Sequence, residues 1–120
     1  MLKEAKKALR VTAEAFDTEI ASLLMAGAND LAIAGVELPG SVTFTVDAND
    51  KVTDNSTLTD PLVMRAIFTY AAMRFGNPPN YDKLADAYEI QKVQLMHAAG
   101  YTDYGEEDQE EAATGDGEAE

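Results

Sequence analysis

The chain contains no cysteine. That excludes a disulfide framework, a thiolate nucleophile and a zinc–thiolate centre, and it suits synthesis in a reducing cytoplasm. Histidine occurs once, as His97. It falls on the outer side of a helical stretch with no serine or ligand set beside it, which leaves neither a triad nor a histidine metal site to build. No GxGxxG or Walker A sequence is present to cradle a phosphate. No apolar run reaches the ~20 residues a membrane-spanning helix needs. The opening bases Lys3, Lys6 and Lys7 are followed by no continuous apolar stretch of the kind a secretory signal carries. Bases are few overall, nine Lys and Arg against 22 Asp and Glu, so the basic field with which nucleic-acid binders release counterions is missing. Carboxylate pairs in exposed turns titrate normally and give no reason to infer acid/base chemistry. The expectation is a protein that is not an enzyme, holds no cofactor or metal and does not enter a membrane.

What is present is one domain's worth of chain. A length of 120 residues can bury one core but hardly two. The formal charge of −13 is unevenly spread, since Glu106 to Glu120 carries eight acids and no base, leaving −5 for the rest. A tail of Gly, Ala and Glu without large apolar residues cannot bury enough surface to fold alone. The reading is therefore a helical domain over 1–105, with an insertion at 36–58, followed by an acidic tail at 106–120 expected to be disordered.

Within the domain, four helical segments are predicted. Leu2 to about Leu9 places Leu2, Ala5 and Leu9 on one side and Lys3, Lys6, Lys7 and Arg10 mostly on the other, a solvated basic face or a contact for an acidic partner. A second helix starts near Asp17 or Thr18, either of which suits an N-cap, with Phe16 placed to staple onto its first turn. Ile20, Leu23, Leu24, Gly27, Leu31 and Ala34 form its apolar stripe, and Gly35 closes it. A fourth helix runs from about Tyr81 to Ala98, with Tyr81, Leu84, Ala85, Tyr88, Leu95 and Met96 on its stripe. Lys92 lies inside that stripe and is expected to send its ammonium outward along an apolar stem, with a buried ion pair as the alternative.

Between the second and third helices, Ser41 to Val46 alternates in a β-rich pattern, Asp47 to Asp50 reads as a turn, and Lys51 to Thr53 returns. A β-hairpin or extended arm must lie on its own domain or on a neighbour, because lone hairpins are marginal in water. Calcium is excluded there. An EF-hand loop beginning at Asp47 would need an oxygen ligand at Lys51, glycine at Val52 and glutamate at Leu58.

The third helix carries the most information. Thr59 or Asp60 caps it and Pro61 takes the first turn. Leu62, Val63, Met64, Ala66, Ile67, Phe68, Tyr70, Ala71, Ala72, Met73 and Phe75 run almost right round it, leaving Arg65 and Thr69 as the polar strip. A helix apolar on all sides must be covered on all sides, either within its own domain or by a second chain. The candidate contacts are Met64, Arg65, Phe68, Ala72 and Phe75 on this helix, Ile90 and Val93 off the stripe of the fourth, and Phe44 and Val46 on the arm. Tyr101 and Tyr104, in the short aromatic segment after Gly100, are candidate partner anchors or fold back on the helix ends.

These residues resemble a known family, the head-tail connector proteins of long-tailed double-stranded DNA phages, also described as head-completion adaptors or phage DNA-packaging proteins. The resemblance rests on Leu2-Lys3 to Leu9-Arg10-Val11, on Phe16-Asp17-Thr18-Glu19-Ile20, and above all on Thr53 to Val63 leading to Tyr70 and Phe75-Gly76-Asn77-Pro78. Tyr81-Asp82-Lys83-Leu84, Tyr88, Gln91-Lys92, Leu95 and Gly100-Tyr101-Thr102 extend it. It covers most of 1–38 and 53–105; the hairpin and the acidic tail depart from it. The resemblance implies an all-α subunit that forms a ring of about a dozen copies; a ring needs two unlike faces on each subunit for a head-to-tail contact that closes. The ring would dock under the portal protein through the segment from Ala98 to Tyr104, help retain the packaged genome, and receive a head-closure (stopper) or tail-completion protein. Genomic DNA would pass through the lumen without sequence-specific binding, past an acidic lining. The location implied is the virion neck.

Two other classes share the composition. An acidic helical protein can mimic DNA and inhibit a nuclease or repressor, which calls for acids regularly spaced on one folded face, whereas eight of the 22 here lie in the tail. A small regulatory helical module calls for a basic recognition helix or a defined partner groove.

Overall fold

A computed structural model describes residues 1–98 of the chain. In order, these form α1 (Leu2–Leu9), a single 3-10 turn (Glu14–Phe16), α2 (Asp17–Ile33), β1 (Phe44–Val46), β2 (Val52–Asp54), α3 (Pro61–Arg74) and α4 (Tyr81–His97). The expected architecture of four helices with a small hairpin between the second and third is what forms. Tyr101, Tyr104 and the acidic tail lie outside the described residues.

Each helix owes its limits to local chemistry. α1 ends where Arg10 turns left-handed at φ 60, and the N–H of Val11 then reaches back to the Lys6 carbonyl at 2.9 Å, the closing bond of a Schellman turn. α2 ends before Gly35, whose φ of 97 belongs to a conformation that costs glycine nothing. Asp60 caps α3 through its carboxylate, which accepts from the N–H groups of Leu62 at 3.0 Å and Val63 at 3.1 Å, with Pro61 in the first turn. The start of α2 departs from expectation. Its cap position is Phe16, with no side-chain cap, because the 3-10 turn delivers the chain already coiled. Asp17 thus falls inside the helix, free to pair with Lys6 of α1 at 2.6 Å. Phe16 meets Phe75 at the far end of α3, ring centroids 5.4 Å apart and edge to face, so that contact joins two elements instead of stapling one.

The core is built around α3, which packs most extensively on α2 and α4. Ile20, Leu24, Leu31, Val63 and Ile67 are the largest side chains fully removed from solvent, each contributing about 1.5–3 kcal/mol of burial. Gly27 lets α2 and α3 approach closely: a Cβ there would lie 3.0 Å from the ring of Tyr70. Across the α2–α4 contact, the Tyr88 hydroxyl donates to the Asp30 carboxylate.

The hairpin lies on its own domain. Phe44 pairs with Asp54, Thr45 with Thr53 and Val46 with Val52 in antiparallel register. The turn is held by Asp47, whose carboxylate accepts from the N–H groups of Asn49 at 2.8 Å and Lys51 at 3.0 Å; these two bonds hold its carboxyl below the usual aspartate range. Toward the domain the pairing continues without regular strand geometry, Asn55 N–H to the Thr43 carbonyl at 2.9 Å and Leu58 N–H to the Ser41 carbonyl at 3.0 Å. Phe44, read from sequence as a partner contact, is taken into the chain's own core at 7% exposure, with Val36 and Leu58 buried in the same cluster. Alternation explains the correction. Along the arm Thr43 and Thr45 face water while Val42 and Phe44 turn toward the helices; Val46, on the same face but nearer the turn, lies past their cover and is 45% exposed.

Candidate functional site

α3 has two unlike sides. Toward α2 and α4, Val63, Ala66, Ile67, Ala71 and Met73 are buried. On the other side Met64, Phe68 and Ala72 are half-buried and Arg65 is exposed. Glu4 and Ala8 of α1, Pro61, and Leu84 of α4 complete an open groove of about 540 Å³ around those four residues. The groove exists because α1 is only 8 residues long and roofs only part of α3. Four of the candidate contacts are thereby gathered in one place, with a cation at the rim and an apolar floor.

The remaining candidates are dispersed. Phe75 is engaged by Phe16. Ile90 and Val93 stand on the outer face of α4, 60% and 46% exposed, and Val46 projects from the hairpin at 45%. Sequence reasoning left other exposed apolar residues out of the candidate contacts, the most exposed being Ile33 at 78% and Leu62 at 56%. Leu62 borders a small cavity with Gln91, Gln94 and Leu95 of α4. The signals were available, since Leu62 sits in a helix apolar all round and Ile33 projects off the α2 stripe.

Polar contacts stiffen the frame behind these surfaces. Lys92 lies 3.4 Å from Asp30 and 3.2 Å from Glu89, and its ammonium sits 5.1 Å from the centroid of the Tyr88 ring. Burial opposes its charge, but the Glu89 bond and the Asp30 carboxylate outweigh that and raise its pKa. Its head group is thus tethered across to α2, which is the ion-pair alternative and not the outward reach along an apolar stem. Burial, then the Asp30 carboxylate, raise the Tyr88 hydroxyl well above its ordinary value, so Tyr88 acts as a fixed donor. At the other end the Met1 amino group meets Glu4 at 2.7 Å and Asp54 at 2.9 Å, and Asp54 also accepts from the Leu2 N–H at 2.9 Å. Partial burial works against ionisation of Asp54, but these bonds and those from Ser56 prevail and hold it at about 2. This polar clasp ties α1 to β2.

Among the described residues no three His, Asp or Glu side chains gather where they could hold a metal ion. No described helix is long and apolar enough to cross a membrane. His97 is exposed in the last turn of α4. The prominent features of the described residues are apolar surfaces on a helical frame. A family model described as phage connector protein matches residues 1–102, and the chain belongs to that family. It is a structural component of the phage virion that assembles with other virion proteins. No similar curated protein and no similar solved structure was found.

Proposed function

We propose that the protein is a subunit of the ring between head and tail, of about a dozen copies as the family resemblance implies, closed by head-to-tail contacts between unlike faces, and that it is not an enzyme. The ring docks under the portal, helps retain packaged DNA and offers the attachment site for the head-closure or tail-completion protein. Family membership supports the setting. The observation that carries the subunit contact is the groove at Met64, Phe68 and Ala72, with Arg65 at its rim. An exposed apolar ridge at Ile90 and Val93 lies elsewhere on the same molecule. A groove and a ridge are unlike, so each subunit can offer one to the next and the contact can repeat until it closes.

Native mass measurement of the full chain, alone and with portal, reports the copy number. Particles made without this chain are expected to be filled heads that lack tails or leak DNA. Normal, infectious virions made without it would end the proposal. Within the ring, Phe68→Asp is expected to abolish assembly; assembly by that variant at wild-type levels would remove the groove from the contact.

A further inference from the structure

We propose that the acidic segment from Glu106 to Glu120 docks on the basic outer face of α1 of the same chain. Four of the nine bases in the protein fall within residues 3–10, against one acid, Glu4. Glu4 is engaged by the Met1 amino group and Lys6 by Asp17. That leaves Lys3, Lys7 and Arg10, all exposed and without an ion pair among the described residues. Lys3 and Lys7 stand one turn apart, on the side of α1 away from buried Ala5, and the left-handed turn at Arg10 follows directly. Elsewhere the exposed lysines are isolated: Lys51 follows Asp50 and Lys83 follows Asp82.

Charge and reach both select the occupant. The segment from 106 to 120 carries eight acids and no base, the complement of a face with three free cations. The described chain ends at Ala98, beside Leu62 and Arg65. Arg65 also lines the groove whose other wall is Glu4 and Ala8 of α1, so the Arg65 side chain borders both the point where the described chain ends and the groove that α1 walls. The eight steps from Ala98 to Glu106 span up to about 26 Å when extended. A tether this short gives the chain's own tail a local concentration in the millimolar range, above that of any other copy in dilute solution. Docking covers the one dense basic stretch of the molecule. The inference does not depend on ring formation.

Zero-length carbodiimide cross-linking of the full chain, with peptide mapping, tests it. Cross-links from the tail carboxylates to Lys3 and Lys7 should exceed those to Lys51 and Lys83 by about tenfold at about 0.01 M salt. They should fall about tenfold at about 1 M salt, where the screening length shrinks to a few ångströms. In an equimolar mixture of isotopically light and heavy protein the products should join like with like. Equal labelling of all four lysines, indifference to salt, or predominance of mixed light–heavy products would overturn the proposal. Because reversing α1 charges could disturb folding, a second variant alters only the tail: Glu106→Gln, Glu107→Gln, Glu110→Gln and Glu111→Gln together. Amide NMR shifts over residues 3–10 should then move toward their high-salt positions while the rest of the domain stays put; unchanged shifts there would also overturn it.

Discussion

The two sides of α3 are built from the same kinds of residue and end in different environments. Toward α2 and α4, Ile67 is fully enclosed, and Gly27 faces Tyr70 so closely that an added Cβ would lie 3.0 Å from its ring. Toward α1, Met64, Phe68 and Ala72 stay half in water. Apolar composition thus demands a cover without saying who supplies it. The length of the neighbouring helices decides, and α1 is too short to cover the whole of α3.

Substitutions on the two sides should separate them. Ile67→Ala on the enclosed side is expected to cost about 2–5 kcal/mol in chemical denaturation, the range for truncating a buried branched side chain. Gly27→Leu forces the Tyr70 ring away and is expected to cost about 1–3 kcal/mol by overpacking; a neutral result would show that α2 and α3 separate without penalty. Phe68→Ala removes more atoms than Ile67→Ala, yet in the isolated subunit it should cost less, about 1–2 kcal/mol, because half-burial halves the transfer gain. If Phe68→Ala costs as much as Ile67→Ala, the groove is not open in solution.

The clasp at Asp54 allows a pH test. Its folded value of about 2 lies below the ordinary 3.8, so folding favours the carboxylate. That stabilisation is fully present above about pH 5 and is lost as pH falls through about 2. Asp54→Asn should therefore be weaker than the parent chain in urea by about 1 kcal/mol at pH 6, and the two should converge near pH 2. A gap that persists at pH 2 would mean that Asp54 acts by packing. The smallest effect is expected on the outer ridge, where Ile90→Asp with Val93→Asp should change the stability of the isolated subunit by no more than about 0.5 kcal/mol for each exposed site. The same pair is expected to lose assembly.

Most helix limits were legible because their signals are local. Asp60-Pro61 starts α3, Gly35 follows α2, and the Gly76 to Asn80 break separates α3 from α4, whatever the rest of the chain does. The 3-10 turn at Glu14 to Phe16 was not legible, since Ala13-Glu14-Ala15 carries no cap or breaker and its geometry is set by how α1 joins α2. Met64, Arg65, Phe68 and Ala72 could be nominated from a helical projection, but Phe44 was nominated beside them from the alternating pattern of the arm. Whether an apolar residue faces its own core or another chain depends on long-range packing.

The chain's own pattern of residues determined four helices and a β-rich arm, the absence of thiol chemistry and the concentration of acid beyond Glu106, each of them a property of composition or of neighbours in sequence. Tertiary structure decided that Phe44 belongs to the core and that Lys92 reaches across to Asp30. It also decided that one side of α3 is left uncovered. Those outcomes depend on distances between residues far apart in the chain, and such distances exist only once the helices have packed.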